Sequence, residues 1–158
     1  MDAELKELDK LATRVIVYLV VASLASFALG FLLFDTTGPF AQLLATAFIG
    51  FSGSAVAALT SCLDRYVTGF ELEDGKKVPK KAEGETFNRR MARWFLVRPF
   101  LGFVVGPVFI LGVVFFVKDP QLFKGSVESL AFTAFMAGLL AKSVLDLIKN
   151  LFKNVFRA

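Results

Sequence analysis

The stretch Gly50–Ala55, with the letters GFSGSA, places Ser52 between two glycines inside a long apolar segment. A serine hydroxyl can act as a nucleophile in hydrolysis when an adjacent base removes its proton. Histidine is the commonest such base, and the chain contains none. Lys142 is the remaining partner, but Ser52 lies near the middle of its predicted helix and Lys142 near an end. A rise of about 1.5 Å per residue then sets the two side chains beyond hydrogen-bonding distance.

The letters GFSG resemble the serine motif of the rhomboid intramembrane proteases. The resemblance covers Gly50–Gly53 and implies that Ser52 works with a histidine on another helix. Because the chain has no histidine, that pair cannot form, and the chain also has fewer predicted spans than that family needs. We therefore expect no enzyme, and intramembrane hydrolysis is the least favoured function.

Helix packing is the other interpretation of the same stretch. One small-residue stripe runs along a single helix face: Thr46, Gly50, Gly53, Ala57 and Ser61, with Ser54 beside them. In lipid, helices associate where small residues let two backbones approach closely. The stripe is therefore predicted either to pack against other helices or to line a pore, and Ser52 to bond its own helix backbone or a neighbour.

Cofactor and metal chemistry have little support in the composition. One cysteine excludes an internal disulfide and a multi-cysteine metal site, and the absence of histidine removes the commonest transition-metal ligand. Neither a phosphate loop nor a dinucleotide fingerprint is present. We therefore expect no cofactor and no metal.

The elements that position these residues follow from hydropathy. The chain of 158 residues is 56% hydrophobic, more than a soluble domain of this size can bury. Four apolar runs approach or reach the length of a membrane span, at about 15–34, 40–63, 95–117 and 126–148, although the fourth contains charged residues. The predicted fold class is all-α: a polytopic membrane protein whose four transmembrane helices form one compact bundle, residues 1–158.

Small residues also mark one face of each other predicted span: Ala22, Ser26 and Gly30 in the first, Gly102 and Gly106 in the third, and Ala134, Gly138 and Ala141 in the fourth. These faces are where the four helices are predicted to meet. Some of them could instead pack between subunits.

Charge predicts the orientation. Of the 18 lysines and arginines, only Lys118 and Lys124 lie in the two short connections between spans. The positive-inside rule therefore places both termini and the loop 64–94 in the cytoplasm. A bacterial inner membrane is the expected location of the spans. The basic pI of about 9.3 reflects this orientation, and no nucleic-acid partner is needed to explain it.

Both ends of the chain are predicted to be amphipathic. Leu5, Leu8 and Ala12 share one face of a short helix that leads into the first span. The tail 147–157 predicts an interfacial helix whose basic face carries Lys149, Lys153 and Arg157. A cytoplasmic extension of the fourth span fits that tail equally well.

The cytoplasmic loop predicts local structure of its own. The letters FELEDGKKVP contain an Asp74-Gly75 turn signal between two short flanks, which predicts a small hairpin. Thr86 is predicted to cap a helix that runs into the third span. The lysines of the loop make anionic lipid a further expected partner, beside the bilayer itself.

Five ionisable residues are predicted at similar depth near the inner membrane boundary: Asp64, Arg65, Arg98, Lys142 and Asp146. Arg98 either extends to the interface as an anchor or turns inward to pair with Asp64 or Asp146. In a pore the same groups would form its mouth. Gly106 and Pro107 are either an ordinary transmembrane bend or a hinge for gating.

Three short motifs carry a second resemblance: Ser61-x-Leu63-x-Arg65, Arg98-Pro99-x-x-Gly102 and Asp146-Leu147-Ile148. Together they resemble small, uncharacterised four-helix integral membrane proteins of bacteria. The resemblance implies a shared fold and no particular activity.

Two functions stay open. One is a homo-oligomeric channel or pore lined by the second span, whose hydroxyl groups favour it. The other is a non-conducting accessory or scaffold subunit of a larger membrane complex. A solute carrier is disfavoured, because the middles of the spans carry no charge.

Overall fold

The computed structural model describes residues 2–36, 38–72, 75, 77–79, 84–117 and 126–146. In chain order its elements are α1 (Asp2–Phe34), α2 (Pro39–Thr68), β1 (Gly69–Glu71), β2 (Lys77–Pro79), α3 (Arg89–Val117) and α4 (Val127–Leu139). A turn at Leu140 follows α4, and residues 141–146 are again helical.

Three helices are long and apolar enough to cross a membrane: Ala3–Phe34 within α1, the whole of α2, and Arg89–Gly112 within α3. This agrees with the predicted membrane character. The fourth predicted span is represented by α4, an apolar helix of 13 residues. At about 1.5 Å per residue, α4 by itself extends about 20 Å, less than a hydrocarbon core of about 30 Å.

The N-terminal arm and the first span form one continuous helix, α1. No glycine or proline interrupts it before Gly30, so nothing ends the helix at the predicted boundary. Leu8, Ala12, Val15 and Leu19 are all buried, and their spacing places them on one face. The amphipathic face predicted for the arm is confirmed, and it continues into the span.

Helix α2 is the centre of the bundle and contacts α1, α3 and α4. Its middle, from Ala45 to Ala58, is mostly buried. The large exposed apolar side chains lie mainly on the other three helices, such as Leu24 on α1, Val104 on α3 and Phe132 on α4. That distribution is the one expected when lipid, rather than water, surrounds the outer helices.

The predicted hairpin is confirmed. Strands β1 and β2 pair antiparallel, with Phe70 opposite Val78, and Gly75 between them adopts a positive φ of 79° that glycine accommodates readily. The chain then returns alongside β1, where the Phe87 N–H donates to the Gly69 carbonyl at 2.8 Å. Phe70 and Phe87 are buried in one cluster with Leu8 of α1, and this cluster continues along the bundle to Leu19 and Ala55.

The predicted cap of α3 is wrong by two residues. Asn88, and not Thr86, accepts the Met91 N–H through its side-chain Oδ1 at 2.8 Å. The pairing of Phe87 with β1 keeps the backbone extended up to that point. The helix can therefore begin only at Arg89, and the residue before it becomes the cap.

Candidate functional site

Helices α2, α3 and α4 meet at four glycines, called here the glycine seam: Gly50, Gly102, Gly106 and Gly138. A Cβ atom added to Gly50 would fall against the Gly102 carbonyl oxygen and 3.0 Å from the Gly106 Cα. One added to Gly138 would fall against the Gly50 backbone, 2.8 Å from its Cα. Only hydrogen atoms fit between these backbones, which is the close approach predicted from the small-residue faces.

The rest of the small-residue stripe also lies inside the chain. Thr46 and Ser54 are each 1% exposed, and Ala57 is buried. A Cβ on Gly53 would lie 2.9 Å from the Leu139 nitrogen of α4. The Ser54 hydroxyl donates to the Arg98 carbonyl of α3 at 2.9 Å. The stripe is thus used for contacts between helices of one chain, with Ser61 at its half-buried end.

Ser52 faces α1 and forms part of the packing. Its hydroxyl oxygen lies 3.1 Å from that of Ser23, and both side chains are buried. Lys142 instead lies at the level of Ser61, which is about 13 Å further along α2. Within the described residues no base contacts Ser52, so the arrangement is that of two serines bonding neighbouring helices.

Gly106 and Pro107 lie within an unbroken α3, which also contains Pro99. A Cβ on Gly106 would lie 2.7 Å from the Thr46 carbonyl oxygen. Gly106 therefore has a packing role in the seam. The hinge stays a prediction.

A second feature lies at the hairpin end, where α2, α3 and residues 141–146 surround an open recess of about 510 Å³. Four cationic side chains line it: Arg65, Arg90, Arg98 and Lys142. Ser61, Asn88 and Trp94 also contribute to its wall. This feature is called here the basic recess.

Arg98 does not make either of its predicted ion pairs. Its Nη1 donates to the Ser61 hydroxyl oxygen at 3.0 Å. In the part of the chain that the structure describes, the ion pairs are Arg65–Glu85 and Arg89–Glu7. Asp64 and Asp146 stand exposed, where water solvates their carboxylates. Of the five residues of the predicted network, the three cations lie around one recess: Arg65, Arg98 and Lys142.

Sequence reasoning missed Arg90 and Asn88 as members of this site. A signal for Arg90 was present, because Arg90, Trp94 and Arg98 recur every four residues and so share one face of α3. Asn88 could be placed only once the hairpin had set the start of α3. The predicted basic face of Lys149, Lys153 and Arg157 lies outside the described residues.

The comparisons with known proteins return no match: no family model, no curated protein and no solved structure is similar to this chain. The two resemblances based on short motifs therefore stay predictions.

Proposed function

We propose that this chain is a non-conducting membrane module: a four-span integral protein that presents an apolar surface to lipid and to other membrane proteins. The observation that carries the proposal is the burial of the α2 stripe in the glycine seam. Four hydroxyl side chains of α2 were the candidate pore lining, and the two in the middle of the helix, Thr46 and Ser54, are each 1% exposed. Ser61 is half-buried and Thr60 exposed, both toward the hairpin end.

A pore shared by several copies needs a polar face on the outside of each copy. The outward side chains of α1, α3 and α4 are mostly valine, leucine and phenylalanine, such as Val21, Val104 and Phe132. A passage lined by such groups tends to lose its water, which closes it to ions. The same surface is well suited to contact with lipid or with apolar helices of a partner.

Four spans with both termini in the cytoplasm remain part of the proposal. Residues 127–146 together extend about 30 Å, enough to cross the hydrocarbon core if the turn at Leu140 lies within the membrane. Lys142 would then lie near the headgroups, beside the start of α3. Every described lysine and arginine belongs to this end, which supports a cytoplasmic location for it.

The mass of the particle extracted from native membranes tests this function. We expect one or two copies bound in fixed ratio to another membrane protein, and no conductance when the purified chain is placed in planar bilayers. Protein-free bilayers serve as the control. A closed ring of four or more copies that conducts ions would contradict the proposal and support the pore. Thr46→Phe does not separate the two functions, because Thr46 is packed inside the chain and its replacement would disturb the bundle.

A further inference from the structure

We infer that the basic recess binds a phosphate group, supplied by the headgroup of an anionic phospholipid or by a soluble phosphate compound. The inference goes beyond the proposed function. It does not depend on whether the chain conducts, since a conducting oligomer would contain the same recess.

Charge is the first argument. Four cations share the lining of the recess, and only Arg65 has a carboxylate partner, Glu85. Among the described residues, no carboxylate lies within 4.0 Å of a nitrogen of Arg90, Arg98 or Lys142. Cations held together at the edge of an apolar bundle repel one another. An anion between them would remove that repulsion.

The position of Arg98 is the second argument. It lies within an apolar helix, half-buried, between the buried residues Phe95 and Pro99. One of its N–H groups is satisfied by the neutral Ser61 hydroxyl. A guanidinium has five donors in a planar fork that matches the oxygens of a phosphate. Charged groups near the membrane usually find an opposite charge, and a bound phosphate would supply it.

The start of α3 adds a third contribution. Asn88, which caps the helix, and Met91 both line the recess. The N-terminal end of a helix carries a partial positive charge that favours anions. The positive end of α3 and the cationic side chains therefore both attract an anion.

Trp94 indicates the level of the membrane at which the recess lies, and it favours a lipid as the source of the phosphate group. It lines the recess while remaining 40% exposed. Tryptophan is enriched where the headgroups meet the hydrocarbon. The opening thus lies at the level at which phospholipid phosphates are found.

A second recess, between α1 and α3, provides a matched control. It has the same volume of about 510 Å³ and is also lined by four cations, Lys10, Arg14, Arg89 and Arg93. In each recess one cation has a carboxylate partner, Glu7 for Arg89 here and Glu85 for Arg65 in the basic recess. The two differ in that all four cations here are exposed, whereas Arg98 of the basic recess is half-buried. Exposed cations can therefore be removed in equal number from either recess.

The test is binding to the full chain, purified in mild detergent and measured by native mass spectrometry. Phosphatidylglycerol, phosphatidylcholine and inorganic phosphate are titrated in separate series. The test variant is Arg90→Gln with Lys142→Gln, and the control variant is Lys10→Gln with Arg93→Gln. All four side chains are exposed, so neither pair is expected to alter the fold, and equal melting temperatures check this.

We expect phosphatidylglycerol to bind more tightly than phosphatidylcholine, and the test variant to weaken its binding about fivefold for each cation removed. The control variant should leave that binding unchanged. Arg98→Lys, which keeps the charge and loses the fork, should weaken binding as well. Binding of inorganic phosphate alone, lost in the test variant, would support the site and assign it a soluble ligand. Equal weakening by both variants, or no effect of the test variant on any ligand, would overturn the inference.

Discussion

The backbones of three helices converge at Gly50, and they can do so because the side chain of glycine is a single hydrogen atom. The Gly50 carbonyl oxygen occupies the space that a Cβ atom on Gly102 or Gly138 would need. Packing in lipid depends on such contacts, because helices there gain little from the hydrophobic effect. The stability of this bundle is therefore expected to be sensitive to one added methyl group at the seam.

Gly138→Ala tests the seam. The new Cβ would meet the Gly50 backbone, which belongs to a buried helix and cannot move aside easily. We expect the free energy of unfolding in detergent to fall by about 1–3 kcal/mol, the usual cost of overpacking.

Gly112→Ala is the matched control. Gly112 also lies in a helix, but a Cβ there would meet nothing within 4 Å. It should stabilise α3 by about 0.5–1 kcal/mol or leave its stability unchanged. Denaturant titration followed by circular dichroism measures both variants. Equal stability of the two would show that the seam tolerates a side chain.

At the scale of elements, the hairpin end of the bundle is held together by contacts between segments far apart in the chain. The Tyr66 hydroxyl at the end of α2 donates to the Asp9 carboxylate of α1 at 2.9 Å. Arg89 at the start of α3 pairs with Glu7 of α1. Beneath these polar contacts, Leu8 packs in the cluster that contains Phe70 and Phe87. The first turns of α1 are thus part of the folded end.

Leu8→Ala tests whether the first turns of α1 and the hairpin share one core. Leu8 is 2% exposed, so its truncation should leave a cavity and cost about 2–5 kcal/mol. Lys6→Ala, on the exposed face of the same turn, should have little effect. Hydrogen exchange of the first turns of α1 and of the hairpin should rise together in the Leu8 variant. Faster exchange in α1 alone would contradict a shared core.

For the whole molecule, the uneven charge of the two ends determines how the bundle should sit in a membrane. The connection near Asp35 lies at one end and the hairpin at the other, because α2 runs the length of the bundle between them. With all described lysines and arginines at the hairpin end, insertion in the opposite orientation would require their transfer across the membrane.

Single cysteines in a Cys62→Ala background test the orientation. Cys62 is buried, so its replacement by another small residue is expected to be tolerated. In intact cells, a membrane-impermeant thiol reagent should label Asp35→Cys. It should label Lys6→Cys and Lys77→Cys only after the membrane is opened. Labelling of Lys77→Cys in intact cells would reverse the proposed orientation.

Several features of this fold could be predicted from local sequence. The apolar runs predicted membrane helices, the spacing of Leu8 and Ala12 predicted the buried face of the arm, and Asp74-Gly75 predicted the hairpin. Each of these depends on residues within a few turns of one another. Periodicity and turn chemistry are local properties, so no knowledge of distant segments was needed.

Local sequence was thus enough to predict the apolar helices and their small-residue faces, because residues a few positions apart decide both. Which faces meet became known only from the folded structure. The folded structure places the α2 stripe at the centre of the bundle. Spacing alone could not distinguish Gly50 from a pore-lining residue. The folded structure also moved the cap from Thr86 to Asn88, since the cap depends on a strand 17 residues away. Arg98 donates to the hydroxyl of Ser61 and not to a predicted carboxylate, and Arg90 and Lys142 line one recess. The physical reason is common to all of these: each depends on segments brought together only when the helices pack.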